Sequence, residues 1–267
     1  MPNVLILGGS GFVGKAIINE FKNKYETYAT YYNHPINEGK SFKLDIEDLK
    51  SFEGILNSVK PDIIISCLRG GFDRQLALHI NAAEFLKENN GRLYFYSTTN
   101  VFDNDYSRPH FEDDLPDSQT DYGRFKIECE KRITEILGDN ACILRLPQVW
   151  GKDSPRLVSL INQLRNNEKI TVYPKLNIST TTDVMIAKRL YYIIEHNMSG
   201  KFHLVSEDTI NHKDFYCELI SVLRSSKAEI EENLEETGYF ALLSKRSGEF
   251  TDELIHTNKS VIQDIIA

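Results

Sequence analysis

Short apolar runs alternate along the chain with stretches whose apolar residues recur every three or four positions. Residues 4–7, 25–31, 42–44, 62–67, 93–97 and 141–146 read as strands. A segment from about residue 12, another after Leu44, and the segments 74–87 and 122–137 read as helices. Several of these strands carry apolar residues on both faces, as in a parallel sheet covered by helices on each side. The pattern predicts an α/β fold, a doubly wound parallel sheet of the Rossmann type. After Gly151 the alternation loosens, and a helix at 156–165, a strand at 170–173, a helix at 184–196 and a strand at 202–205 predict a smaller mixed lobe. The acidic run at 229–236 reads as a solvated helix face or loop.

Composition narrows the function classes. Of 267 residues, 41% are hydrophobic and 26% charged, the balance of a globular protein with a sizeable core. The net charge of -8 argues against a nucleic-acid surface, which needs clustered Lys and Arg. Cys67, Cys129, Cys142 and Cys217 form no C-x-x-C pair, so neither a zinc template nor a disulfide framework is expected. The seven histidines show no i,i+4 pair, no metal site is expected, and they read as surface or locally satisfied residues. The chain runs directly into its first apolar strand, with no basic leader and no apolar stretch near the ~20 residues of a membrane span. A cytoplasmic location without membrane contact is the expectation.

Candidate chemistry begins at the end of the first strand, where Gly8-Gly9-Ser10-Gly11-Phe12-Val13-Gly14 forms a G-x-x-G-x-x-G loop entering a helix. Such a loop lets the backbone turn tightly and approach a pyrophosphate, and it lets the helix pack close to the strand. Residues 1–150 are therefore expected to form a dinucleotide-binding domain and 151–267 a substrate lobe, with the chain free to cross back between them. At the end of the second strand, Tyr31 to His34 offers neither the carboxylate that would bind a ribose 2′-hydroxyl nor an arginine. Absence of that carboxylate favours NADP(H), with NAD(H) as the alternative. Tyr31 and Asn33, and Asp45 and Ile46 after the third strand, are candidates for the adenosine end.

Tyr122-Gly123-Arg124-Phe125-Lys126 is a Y-x-x-x-K pair, which on a helix places both side chains on one face. A cation beside a phenol lowers its pKa from about 10, so Lys126 is expected to make Tyr122 a usable proton donor near neutral pH. Upstream, Ser97-Thr98-Thr99-Asn100-Val101-Phe102-Asp103 puts hydroxyls at a strand's C-terminal edge, where parallel sheets bind ligands.

These residues resemble the extended short-chain dehydrogenases/reductases, especially the dTDP-4-dehydrorhamnose reductase branch. Phe95 to Asp103 is similar to its fifth-strand segment, in which the catalytic hydroxyl matches Thr98. Arg108 to Asp114 resembles the loop preceding Tyr-Gly-Arg-x-Lys, Glu128 and Glu130 lie near the acidic residue that follows the lysine, Arg145 to Gly151 resembles the arginine-to-glycine segment, and Gly200 to Leu204 matches a late strand. Two stretches depart from the pattern. Cys67-Leu68-Arg69-Gly70-Gly71 replaces small residues after the fourth strand, with Arg69 either reaching a phosphate or pointing into solvent, and 237–245 lacks the family's Arg-Pro pair.

The resemblance implies catalysis by Thr98, Tyr122 and Lys126. It implies cofactor contacts from Gly8, Ser10, Gly11, Phe12, Val13, Gly14, Cys67, Leu68, Arg69, Tyr122, Lys126 and Pro147, and substrate contacts from Thr99, Asn100, Val101, Gln148 and Trp150. The expected reaction is NAD(P)H-dependent reduction of a keto group on a nucleotide-linked deoxy sugar, with a homodimer as the assembly allowed for. Two alternatives stay open: a nucleotide-sugar epimerase or dehydratase, and a non-catalytic NADP-binding regulatory subunit resembling the β-subunit of methionine adenosyltransferase.

Overall fold

In the first strand Leu5 and Leu7 point to one side and Val4 and Ile6 to the other, and all four are fully buried. Period-2 alternation with apolar residues on both faces requires cover from both sides. The computed structural model describes residues 1–36, 39–223 and 228–266, and it supplies that cover. The elements run β1 (Asn3–Leu7), α1 (Phe12–Phe21), β2 (Glu26–Tyr31), β3 (Lys40–Lys43), α2 (Leu49–Val59), β4 (Ile63–Ser66), α3 (Phe72–Glu88), β5 (Arg92–Thr98), α4 (Asp121–Leu137) and β6 (Ala141–Leu146). They continue with β7 (Gln148–Trp150), α5 (Pro155–Asn166), β8 (Lys169–Val172), β9 (Lys175–Ile178), β10 (Thr180–Thr182), α6 (Asp183–Glu195) and β11 (Gly200–His203). The chain ends with β12 (Ile210–Asn211), α7 (His212–Val222), β13 (Glu229–Glu232), β14 (Thr237–Phe240) and α8 (Asn258–Ile266).

The main sheet has seven parallel strands in the order β11-β6-β5-β4-β1-β2-β3. Phe52, Leu78, Ala82, Cys129 and Ile133 of α2, α3 and α4 pack on one face. Ile17 and Phe21 of α1 with Ile186, Leu190 and Ile193 of α6 pack on the other. The doubly wound architecture is thus present, and its strand order reverses between β1 and β4. A ligand crevice opens at such a switch point, outside the carboxyl ends of the strands.

A third core, including Trp150, Leu160, Ile170, Ile178, Phe215, Leu219 and Val261, organises the smaller lobe around short strand pairs. After β10, whose Thr182 hydroxyl caps α6 by accepting the Met185 N–H, the chain returns to lay α6 against α1 and to add β11 beside β6. The acidic run departs from expectation: residues 229–232 form β13, parallel to β8, with Lys169 near Glu229 and Glu231 and Lys213 paired to Glu232. Cross-strand and neighbouring lysines offset the charge that had suggested a loop. No helix among the described residues is long and apolar enough to cross a membrane.

Candidate active site

Gly8 closes the turn after β1 with φ at +78°, a left-handed conformation that favours glycine. Its carbonyl accepts the Gly11 N–H at 3.0 Å, and its own N–H donates to the Thr30 hydroxyl at 3.0 Å. A Cβ on Gly14 would lie 2.5 Å from the Gly8 oxygen, so the third glycine is what lets α1 pack onto the loop. No side chain caps α1 and its first turn holds no acid, leaving the first N–H groups available to an anion. The loop therefore fits the diphosphate of a dinucleotide.

A cavity of about 320 Å³ opens at the switch point. Gly11, Phe12, Val13 and Gly14 border it from the loop, Cys67, Leu68 and Arg69 from the end of β4, and Thr98, Thr99 and Asn100 from the end of β5. Tyr122 and Lys126 enter from α4, and Pro147 and Gln148 from the passage into the smaller lobe. Gly8, Ser10, Tyr31, Asn33, Asp45 and Ile46 are not in this lining. Tyr31 ends β2 and Asp45 lies just beyond β3, where its carboxylate accepts the Glu47 N–H at 3.0 Å.

Two expected substrate contacts, Trp150 and Val101, lie outside this lining. Trp150 is fully buried in the third core, its ring 5.1 Å from that of Phe215 and 5.7 Å from that of Tyr216. Val101 is likewise fully buried, against Phe102, Val205 and Leu242.

Strand alternation selects among the three consecutive hydroxyls. The Ser97 hydroxyl donates to Glu130 and that of Thr99 to the Leu146 carbonyl at 3.1 Å, both buried. Thr98 stays part-exposed; its hydroxyl accepts the Asn100 N–H at 3.3 Å and donates to Asn100 Oδ1 at 3.0 Å. The helix carrying Tyr122 starts where Thr120 caps it by accepting the Gly123 N–H. Gly123 must lack a side chain, because a Cβ there would sit 2.4 Å from the Asn100 carbonyl.

The electrostatics differ from the expected pairing. Burial pushes the Tyr122 phenol above its ordinary value, while the Arg69 charge and a hydrogen bond with Thr98 pull it back down. Lys126 is buried, donates to the Tyr96 carbonyl at 2.7 Å, lies over the Phe95 ring at 4.4 Å, and is pushed down to about 8 by burial.

Beneath the site runs a buried ionic network. Arg145 donates two hydrogen bonds to Glu130, at 3.0 and 2.7 Å, and Glu130 in turn holds Ser97. Arg145 also lies 3.4 Å from His203 Nε2, whose Nδ1 meets the Leu243 carbonyl at 2.8 Å. Glu112 accepts the N–H groups of His203 and Lys245 and the Ser244 hydroxyl. The segment after β14 is thereby fastened to the sheet.

Tyr96, Ser97, Leu146, Val149, Pro155, Arg156 and Phe240 also line the cavity and were not read from the sequence. Ser97 lay inside a motif already in view. Phe240 comes from β14, far along the chain, and no local signal marks it. Groups of three or more His, Cys, Asp or Glu side chains able to hold a metal are absent among the described residues.

Comparison with known proteins places this geometry. Residues 2–237 match the RmlD substrate binding domain family. A dTDP-4-keto-6-deoxy-D-glucose reductase of Streptomyces niveus is 23% identical over 218 residues, covering 74% of this chain and 71% of that protein. Methionine adenosyltransferase 2 subunit beta of Danio rerio is 27% identical over 161 residues, covering 56% of this chain and 48% of that protein, so the match spans about half of the latter's length. The crystal structure of dTDP-4-dehydrorhamnose reductase from Bacillus anthracis in complex with NADP superposes with a TM-score of 0.84, covering 99% of this chain and 98% of that one at 18% identity. With the family match spanning nearly the whole chain, and with the fold and glycine loop in agreement, the protein belongs to the RmlD substrate binding domain family.

Proposed function

We propose that this protein is an NAD(P)H-dependent reductase acting on a keto group of a nucleotide-linked deoxy sugar. The observation that carries the reading is the meeting of Thr98, Tyr122 and Lys126 in one cavity with the glycine loop. Loop N–H groups at the start of α1 would hold the dinucleotide's diphosphate, with Tyr31, Asn33, Asp45 and Ile46 toward its adenosine end and Cys67, Leu68 and Pro147 nearer the nicotinamide. When bound, the dinucleotide supplies hydride to the carbonyl carbon. Tyr122 gives its phenolic proton to the developing alkoxide, and the Thr98 hydroxyl donates a hydrogen bond to the same oxygen, stabilising charge where it forms. Lys126 would turn its ammonium toward the nicotinamide ribose. The lack of a carboxylate between Tyr31 and His34 favours NADP(H) over NAD(H).

Loss of NADH and of NADPH absorbance, followed over a panel of nucleotide 4-keto-6-deoxy sugars, tests this directly. Turnover with net consumption of reduced cofactor supports a reductase, whereas turnover without it supports an epimerase or dehydratase. A second reading, a non-catalytic dinucleotide-binding subunit, is favoured by the match to methionine adenosyltransferase 2 subunit beta. Tight cofactor binding with silence across the panel would select it.

A further inference from the structure

In a chain with 39 acidic and 31 basic residues, six of the eleven described arginines sit in ion pairs with a carboxylate. Arg74 is held by Glu47, Arg108 by Asp114, Arg124 by Asp121, Arg132 by Glu135, Arg145 by Glu130 and Arg246 by Glu249. Arg92, Arg165 and Arg189 have no such pair among the described residues but lie outside the cavity lining, and it is their position that sets Arg69 and Arg156 apart. Both line the cavity, no Asp or Glu lines it with them, and among the described residues neither forms an ion pair with a carboxylate. They come from different lobes, Arg69 from the loop after β4 and Arg156 from the first turn of α5. The charge of Arg69 nonetheless bears on Arg156 and also on Tyr122.

Two guanidinium groups brought together without a counterion repel, and a multiply charged anion between them relieves that repulsion. Phosphate oxygens suit the planar donor fork of arginine. The free N–H groups of the glycine loop already provide for one diphosphate, that of a dinucleotide. The arginine pair is a second anion site in the same cavity, close enough to the proton donor to feel it. In a sugar nucleotide the keto carbon and the anomeric phosphate stand on the same ring, so a substrate presenting its carbonyl to Tyr122 carries its diphosphate about one ring away.

We propose that Arg69 and Arg156 clamp the diphosphate of the nucleotide-linked substrate, apart from the glycine loop that takes the diphosphate of the cofactor. This rests on the oxidoreductase reading above. The clamp would orient the sugar from its charged end and select nucleotide-linked sugars over free ones.

The test uses the full chain saturated with NADP⁺ or NAD⁺, titrated calorimetrically with inorganic pyrophosphate and, separately, with UDP. Arg69→Gln and Arg156→Gln should each weaken both ligands at least tenfold, with dinucleotide affinity within about twofold of wild type, and Arg156→Lys should recover part of the loss. With a reducible sugar nucleotide, Arg156→Gln should raise KM at least tenfold and change kcat less. Unchanged pyrophosphate and UDP affinity in both Gln variants overturns the clamp. Dinucleotide affinity falling in step with pyrophosphate also overturns it, because the arginines would then serve the cofactor. If the wild type binds no dinucleotide, the oxidoreductase reading fails, and the clamp stands or falls on pyrophosphate titration of the unliganded protein.

Discussion

The ammonium of Lys126 donates to the carbonyl oxygen of Tyr96 at 2.7 Å, inside the protein. The Y-x-x-x-K spacing puts both residues on one helix face, and the lysine's ammonium is held there by a carbonyl of β5. Burial raises the Tyr122 phenol, and the charge of Arg69 works against that rise. Spacing along a helix therefore sets which side chains can meet, while the neighbouring strand decides where a long flexible one goes.

Tyr122→Phe removes the proposed proton donor and leaves the ring packed near Phe72. Turnover should fall about 10²- to 10⁴-fold, the usual contribution of general acid catalysis, with dinucleotide affinity within about threefold of wild type. Stopped-flow hydride transfer and fluorescence titration measure the two; unchanged turnover removes Tyr122 from the mechanism.

Burial holds Lys126 at about 8, against 10.5 for an ordinary lysine. Between those values the unfolded chain carries the extra proton, so on this residue's account stability rises with pH from about 8 to 10.5, and the full cost of the buried charge is present below 8. The stability of wild type relative to Lys126→Met should improve across that window in urea unfolding. A pH-independent difference would show that the lysine does not titrate as a buried cation.

Glu130→Gln leaves the Arg145 charge buried and uncompensated. Breaking one partner of such a pair costs about 3–5 kcal/mol, and the Ser97 contact, then made to a neutral amide oxygen, should weaken and lower kcat. The double variant Glu130→Gln/Arg145→Met should regain much of the stability. If the single variant unfolds at the wild-type urea concentration, the network is not holding the sheet edge.

Burial keeps several histidines neutral: His79 and His256 are pushed down to about 3, and His203 and His212 to about 4, from 6.5. As pH falls below 6.5 the unfolded chain takes up protons that the folded one refuses, so stability should decline progressively toward pH 4. For His79 alone, whose Nε2 lies 2.6 Å from the Ser66 hydroxyl, this amounts to about 2 kcal/mol at pH 5. The pH 7 to pH 5 drop in the urea midpoint should be smaller in His79→Gln than in wild type; an equal drop would place the acid sensitivity elsewhere.

Gly14→Ala forces a methyl group against the Gly8 carbonyl and the Gly9 backbone. Lifting α1 from the loop should abolish measurable dinucleotide binding, whereas Gly54→Ala, with open space around its Cβ position, should leave binding intact. Binding that survives in Gly14→Ala would separate the loop from the cofactor.

The main sheet was legible because its strands are buried on both faces and alternate with amphipathic helices, so periodicity alone marks β1 to β6 and the helices between them. The short strands β7, β9, β10, β12 and β14 were not, since two to four residues carry too little periodicity to register. The acidic strand β13 looked like solvent-facing chain until β8 paired with it. Trp150 looked like a cleft residue because it follows a strand near the site, and its placement depended on α7, which the pattern of the smaller lobe had not revealed.

Local sequence by itself determined the glycine turn, the helix that presents Tyr122, and the strand that ends in hydroxyls, because each depends on backbone conformation and on neighbours within a few residues. Tertiary structure decided which hydroxyl faces the cavity, that Lys126 is held by Tyr96, and that Arg69 and Arg156 share one anion-accepting space. Those outcomes depend on charge and packing between segments far apart in the chain, where sequence spacing carries no distance.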